Sequence, residues 1–358
     1  MRGPSPLDAN VTQALSHTPE EPSAAHGPQT STTRSTVVFS HATALQLART
    51  TRTNTQARNR RPFFLPPAAP RPDDLSTAAR ELRASNPEAL LRAPVHCIVR
   101  SSTTQRAPQP CRFHQHSSEI PRGAAFRVSS SAWCASPELA FVQEAALESN
   151  VFRLALLGWE LCGTYCTAST GHETTYQLQQ LTSHERLSDF ARRNAHMRGS
   201  QKALRALRFV KDNAASPRES MLALVLGLPS MYGGHALGMP LMNHPVEATP
   251  QARAIAGRAS FRCDLCWPHA RLDVEYQSAE THAGEIARIG DSRRANALSS
   301  MGWTVVAITN DELNSASTME EIAKTLRKLL GKRLRADAAS HRARQLELRR
   351  SIGLPTWR

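Results

Sequence analysis

The stretch "RCDLCWPHARLDVEYQS", Arg262 to Ser278, decides the fold of the C-terminal half of this chain. It contains two runs in which apolar and polar residues alternate, which is typical of half-buried β-strands. A turn over residues 268–271 pairs Trp267 with Leu272 across the two runs. Continuing that register places Asp264 opposite Glu275. The stretch therefore predicts a β-hairpin with acidic side chains facing one another.

Alternation sorts the side chains of this hairpin onto two faces. The face that covers a core is predicted to carry Cys263, Leu265, Trp267, Leu272, Val274 and Tyr276. The opposite face is predicted to carry Arg262, Asp264, Cys266, Asp273, Glu275 and Gln277. Its three carboxylates repel one another at separations of about 5 Å. A divalent cation relieves that repulsion, and Mg²⁺ prefers such hard oxygen ligands. The alternative is an ordinary amphipathic hairpin whose polar face meets solvent.

The segments around the hairpin complete one α/β unit. Ser216-Pro217 supplies an N-cap and a first-turn proline for a helix that continues into "MLALVLGL". After the hairpin, the pattern predicts a helix in "DSRRANALSSMG", an apolar strand in "WTVVAIT" and an amphipathic helix in "MEEIAKTLRKLL". We expect this unit to extend to about Leu330.

These elements resemble the PD-(D/E)xK restriction-endonuclease-like superfamily, and within it the very-short-patch-repair-like (Vsr-like) branch. Some bacterial proteins of that branch are linked to AbiEi-type abortive-infection defence systems. The N-terminal segments "FSHATALQL", "SPELAFVQEA" and "ELCGTY" are similar to the forepart that accompanies this domain. The nuclease-like resemblance depends on Glu219, Asp264, Glu275, Gln277, His282, Asp291, Arg294, Asn296 and the closing "GWTVVAIT".

The resemblance implies an endonuclease that hydrolyses DNA phosphodiester bonds with Mg²⁺ or Mn²⁺. Asp264 and Glu275 would hold the metal, and Glu219 would add an outer carboxylate. Arg293 or Arg294 would hold the phosphate backbone. The remaining implied role is that of His282, which would orient or protonate the leaving oxygen. Geometry alone makes Asp273 a further candidate metal ligand.

One position departs from the family pattern. Gln277 stands where the family has a lysine, and a neutral amide orients water but supplies no positive charge. The alternative function is therefore a catalytically inactive nuclease fold that binds DNA as a regulator or antitoxin-like component.

Two other kinds of site were weighed. Four thiolates, including Cys263 and Cys266, would suit zinc, but a flat strand is predicted to aim those two at opposite faces. A nucleophilic cysteine–histidine pair, such as Cys97 or Cys111 with His114, has only proximity in sequence to favour it.

The sequence predicts a mixed α/β (α+β) protein in four parts. Residues 1–35 are Ser-, Thr- and Pro-rich and are expected to be disordered. A smaller mixed α+β region over 36–212 contains a proline-rich loop near 59–74. The endonuclease-like domain, a mixed sheet flanked by helices, covers 213–330. A basic helical tail, expected to be solvated, covers 331–358.

Composition narrows the class of partner. The net charge of +14 favours a polyanion, most simply nucleic acid, although basic tails alone would also explain it. No apolar run is long enough to span a membrane, and the N-terminus lacks a signal-peptide pattern. The seven cysteines show no secreted-domain framework, so a cytoplasmic location is expected.

Overall fold

A computed structural model of the chain describes residues 36–50, 58–59, 61–100, 105–116, 119–277, 285–333 and 338–356. The segment 1–35, for which disorder was predicted, lies outside the described residues. Contacts divide the chain into two units. The first comprises residues 1–147, 166–175 and 189–200, and the second comprises 148–165, 176–188 and 201–358. The predicted boundary near residue 212 corresponds to no single point, because the segments around residues 148–200 alternate between the units.

The first unit is built on a mixed five-stranded sheet with the order β4-β3-β1-β7-β6. Its strands are β1 (Val37–Phe39), β3 (Val95–Arg100), β4 (Cys111–His116), β6 (Ala125–Arg127) and β7 (Ala132–Ala135). The short strands β2 (Phe63–Phe64) and β5 (Glu119–Ile120) pair with each other. The helices are α1 (His41–Thr50), α2 (Pro72–Ser85) and α3 (Pro137–Leu147). As the sequence predicted, Ser136 caps α3: its Oγ accepts a hydrogen bond from the N–H of Leu139 at 3.3 Å.

The second unit contains a mixed four-stranded sheet with the order β11-β10-β9-β8. Its strands are β8 (Leu241–Glu247), β9 (Ser260–Trp267), β10 (Leu272–Gln277) and β11 (Thr304–Thr309). The helices from α4 onward are α4 (Val151–Leu161), α5 (His184–Arg193), α6 (Ser200–Leu207), α7 (Pro217–Gly227), α8 (Pro250–Ala256), α9 (Glu285–Ser300), α10 (Asn310–Asn314), α11 (Ala316–Leu329) and α12 (Ala338–Ser351). Helices α5 and α6 cross the limits between the units.

The predicted hairpin is present, and its predicted register is confirmed for the three pairs next to the turn; the predicted pairing of Asp264 with Glu275 is not part of this ladder. Strands β9 and β10 are antiparallel, and Trp267 pairs with Leu272, Cys266 with Asp273 and Leu265 with Val274. Strand β11 then adds parallel to β10, while β8 adds antiparallel to β9. The predicted mixed sheet flanked by helices is therefore confirmed, and the chain is a mixed α+β protein.

The predicted face assignment is wrong for part of β9. Cys263 and Cys266 were assigned to opposite faces, yet both pack into one buried cluster with Ala297 and Leu298 of α9. Strict alternation fails near Asp264, opposite which Asn243 on β8 has a φ of +47°. Helix α9 therefore covers a face on which the sequence placed polar side chains only.

The C-terminal helix is also different from the expected solvated tail. Buried apolar residues occur in α12, at Leu348, and directly after it, at Ile352 and Leu354. Arg349 donates hydrogen bonds to the carbonyl oxygens of Leu313 and Pro355, so the helix is part of the second unit. The basic residues alone did not reveal this apolar face.

Within the described residues, no helix has the length and the apolar character needed to cross a membrane.

Candidate active site

Glu219 enters the site from the first turn of α7. The side chain of Ser216 caps this helix by accepting the N–H of Glu219 at 3.1 Å. The carboxylate of Glu219 is buried and accepts hydrogen bonds from the N–H of Ala215 at 3.0 Å and from Nδ2 of Asn243 at 2.8 Å. Burial raises the pKa of Glu219 above its ordinary value, while those hydrogen bonds oppose the rise. The cap and Asn243 therefore fix this carboxylate in place.

Asp264 lies on β9 at the position where the strict alternation of faces fails. Its Oδ2 accepts the backbone N–H of Tyr276, on β10, at 3.1 Å. Burial, followed by the negative charges of Glu275 and Glu219, raises the pKa of Asp264 to about 7. The cost of ionising Asp264 is thus set by two neighbouring carboxylates as well as by the protein interior.

Asp273 and Glu275 project from β10 toward Arg294 of α9. The guanidinium of Arg294 lies 2.6 Å from Oε1 of Glu275 and 3.3 Å from Oδ2 of Asp273. Asp273 is fully buried, and its Oδ1 has no hydrogen-bond partner. Burial, followed by the hydrogen bond and the negative charge of Glu275, raises the pKa of Asp273 well above its ordinary value.

The acidic cluster, which we define as Glu219, Asp264, Asp273 and Glu275, holds more carboxyl groups than neighbouring cations. Arg294 contacts it at Asp273 and Glu275, and the positive charge of Arg262 acts on Glu219. Protons relieve the remaining repulsion at low pH, and a hard divalent cation would relieve it at higher pH. The oxygen donors of Asp264 and Glu275 fit Mg²⁺ or Mn²⁺ in chemistry. Arg294 competes with such an ion for Glu275.

Comparisons with known proteins leave the activity open. No family model matches the chain. The chain is 33% identical over 116 residues to uncharacterized proteins from two strains of Mycobacterium tuberculosis, CDC 1551 / Oshkosh and ATCC 25618 / H37Rv. That alignment covers 32% of this chain and 38% of each relative, so the chain spans well under half of their length. No solved structure matches.

The structure places the residues singled out in the sequence as follows. Glu219, Asp264 and Glu275, on α7, β9 and β10, lie near enough for the charges of Glu275 and Glu219 to raise the pKa of Asp264. Their oxygens are not among the described groups of three or more His, Cys, Asp or Glu residues whose ligand atoms all lie within 4.8 Å of one another. Gln277 is exposed at the end of β10 and pairs with Thr309 of β11. Arg293 is exposed on α9. His282 lies outside the described residues.

Two features of the site are not apparent from the sequence. Arg294, which with Arg293 was one of two candidates for holding the phosphate backbone, makes an ion pair with Glu275 and donates to the carbonyl oxygen of Arg262 at 2.8 Å. Asn243, which holds Glu219, was not singled out. Its signal is indirect, because an asparagine inside a strand is unusual and tolerates positive φ better than most residues.

Proposed function

We propose that the chain is a Mg²⁺-dependent endonuclease that hydrolyses phosphodiester bonds in DNA. The observation that supports the proposal is the raised pKa of Asp264, about 7, which is caused by burial and then by the negative charges of Glu275 and Glu219 on two other elements. Perturbed carboxyl groups gathered from three elements are typical of catalytic sites. The mixed sheet flanked by helices also agrees with the restriction-endonuclease-like core.

Each residue has a distinct task in this proposal. Asp264 and Glu275 hold the metal, which when bound polarises the scissile phosphate and lowers the pKa of an attacking water. Glu219, fixed by Ser216 and Asn243, adds negative charge behind Asp264. Gln277 orients water through its amide but contributes no charge. The neighbouring positive charge comes from Arg294.

The charge of the whole chain suits a nucleic-acid substrate. Its net charge is +14, and release of counterions from DNA favours binding by such a surface. Arg293 is exposed on α9, the helix that also carries Arg294. We assign backbone contacts to Arg293, because Arg294 is engaged by Glu275. The seven cysteines are buried thiols, which agrees with a reducing compartment such as the cytoplasm.

A second function is favoured by the same ion pair. If Arg294 permanently neutralises Glu275, the fold binds DNA without cutting it, as a regulator or antitoxin-like component of a defence system would. The absence of a lysine at Gln277 points the same way. The two functions differ in whether the chain cleaves DNA when a divalent metal is present.

Nicking of supercoiled plasmid by the full chain tests the proposal. We expect relaxed plasmid to accumulate in Mg²⁺ or Mn²⁺ and not in EDTA. DNA affinity is measured in parallel by fluorescence anisotropy of a labelled duplex. Tight binding with no nicking in either metal would overturn the nuclease proposal in favour of the regulator. A chain that neither binds nor nicks DNA would overturn both functions.

A further inference from the structure

Three histidines meet in the first unit, in a place that the proposed nuclease chemistry does not use. His41 begins α1, directly after β1, while His96 and His114 lie on the parallel neighbours β3 and β4. One ring nitrogen from each of the three histidines lies within 4.8 Å of the other two. We call these three residues the histidine cluster.

The rings are in direct contact. Nδ1 of His96 lies 2.8 Å from Nε2 of His114. The rings of His41 and His114 stack with their centroids 3.7 Å apart. Three imidazoles held at such distances cannot all be protonated, since each charge opposes the others. Neutral imidazole is the form that binds metal ions.

The backbone is shaped to deliver His41 to this point. His41 has a φ of +52°, a left-handed conformation that costs energy for a residue with a Cβ. Its N–H donates to Oε1 of Gln143 at 3.2 Å, which stabilises the turn. Its Nδ1 lies 3.0 Å from Oγ of Ser40. A hydrogen bond from Nδ1–H to that hydroxyl leaves Nε2 as the ligand atom, which is the usual way a protein orients a metal-binding histidine.

The cluster opens into a cavity of about 460 Å³. His41 and His114 line it together with Gln143, His116 and Arg198, all within the first unit. A metal held by three histidines keeps its next coordination position open, and this cavity provides room for a water or a small anion there. Arg198 in the lining and Arg112 beside His96 and His114 favour an anion in that position.

We propose that His41, His96 and His114 form a binding site for a transition metal, Zn²⁺ in the first instance, whose open position faces this cavity. Zinc binds histidine nitrogen at about 2.0–2.1 Å, which places tetrahedral ligand atoms about 3.4 Å apart. The ligand nitrogens, all within 4.8 Å of one another, lie in the range of that separation, and the stacked rings of His41 and His114 must turn for their nitrogens to point at one ion. Imidazole ligands favour zinc, copper or nickel over magnesium, so this site is chemically distinct from the acidic cluster.

The second unit contains another group of possible metal ligands, but this group lacks a free ligand set and an adjoining cavity of useful size. His235, Glu320 and His341 also lie within reach of a common ion. However, Glu320 already accepts hydrogen bonds from Arg327 and Gln345, both at 2.9 Å. The adjoining cavity is only about 10 Å³. Protein donors satisfy this carboxylate, so we assign no metal to it.

Zinc binding by the full chain tests the proposal. The chain is stripped with chelator, and Zn²⁺ is titrated against a chromophoric chelator in excess Mg²⁺, which occupies carboxylate sites. We expect one equivalent to bind. We expect His114→Gln and His96→Gln each to weaken binding by at least about 100-fold, since even outer partners of metal ligands are worth 10- to 100-fold. The matched control His172→Gln, at an exposed position in the same unit, and His341→Gln in the second unit should retain wild-type affinity.

Co²⁺ in place of Zn²⁺ gives a readout that needs no variant. The wild-type chain should show the visible absorption of four-coordinate Co²⁺ without a thiolate charge-transfer band. Absence of stoichiometric binding by the wild-type chain would overturn the proposal. A thiolate band, retention of full affinity by a folded His114→Gln or His96→Gln variant, or loss of affinity in His341→Gln would overturn it equally.

Discussion

Plasmid cleavage should fall by more than about 100-fold when Asp264→Asn replaces the central carboxylate of the acidic cluster. The amide keeps the size of the side chain and can still accept the N–H of Tyr276, which now lies 3.1 Å from Oδ2. It cannot offer a negative oxygen to a divalent cation. Loss of a direct ligand should cost more than loss of an outer partner, which typically costs 10- to 100-fold. Initial nicking rates in Mg²⁺ measure the effect.

Glu275→Gln should reduce cleavage to a similar degree, because it removes the second proposed ligand. The matched control is Asp189→Asn, which makes the same chemical change in an exposed carboxylate of the first unit. It should cleave at the wild-type rate. Cleavage that survives both Asp264→Asn and Glu275→Gln would show that these residues do not carry the reaction.

The same Asp264→Asn substitution should make the metal-free protein more stable at pH 8. The folded chain holds the Asp264 proton until about pH 7, whereas the ordinary pKa of an aspartate side chain is 3.8. Between those values the folded state binds more protons than the unfolded state, so the free energy of unfolding falls as pH rises. Above about pH 7 the cost of the ionised group is fully present. Each pKa unit corresponds to about 1.4 kcal/mol, so removing this cost should give on the order of 2–4 kcal/mol.

Urea denaturation in EDTA at pH 5 and pH 8 measures this gain. Trp267 and Trp303 lie in the second unit and report its unfolding by fluorescence. The difference in the free energy of unfolding between Asp264→Asn and wild type should be largest at pH 8 and smaller at pH 5. At pH 8 this difference should decrease when Mg²⁺ is added. A variant less stable than wild type at pH 8 would show that Asp264 ionises without strain. Asp189→Asn should show no such pH dependence.

Local patterns in the sequence predicted much of the second unit. The turn and the alternation of residues around it fixed the pairing of Trp267 with Leu272, which the structure confirms. Cap residues predicted where two helices begin: Ser216 caps α7 and Ser136 caps α3, as expected. Such signals depend on neighbours in sequence, and the physics that produces them is local.

Features that depend on distant contacts were missed or misread. The faces of β9 could not be assigned from alternation, because Asn243 on the neighbouring strand has a left-handed conformation opposite Asp264. The inward turn of Arg294 follows from the packing of α9 over the sheet, not from its own neighbours in sequence. His41 and His96 are far apart in sequence and meet only because β1 and β3 are adjacent.

Electron paramagnetic resonance of Mn²⁺ tests most directly whether the acidic cluster is a metal site. Free Mn²⁺ is titrated against the full chain at pH 8, where Asp264 is ionised, and bound ion is measured from the loss of the free signal. We expect wild type and Asp189→Asn each to bind one equivalent of Mn²⁺ and Asp264→Asn to bind none. Equal Mn²⁺ binding by wild type and Asp264→Asn, or none by wild type, would contradict it.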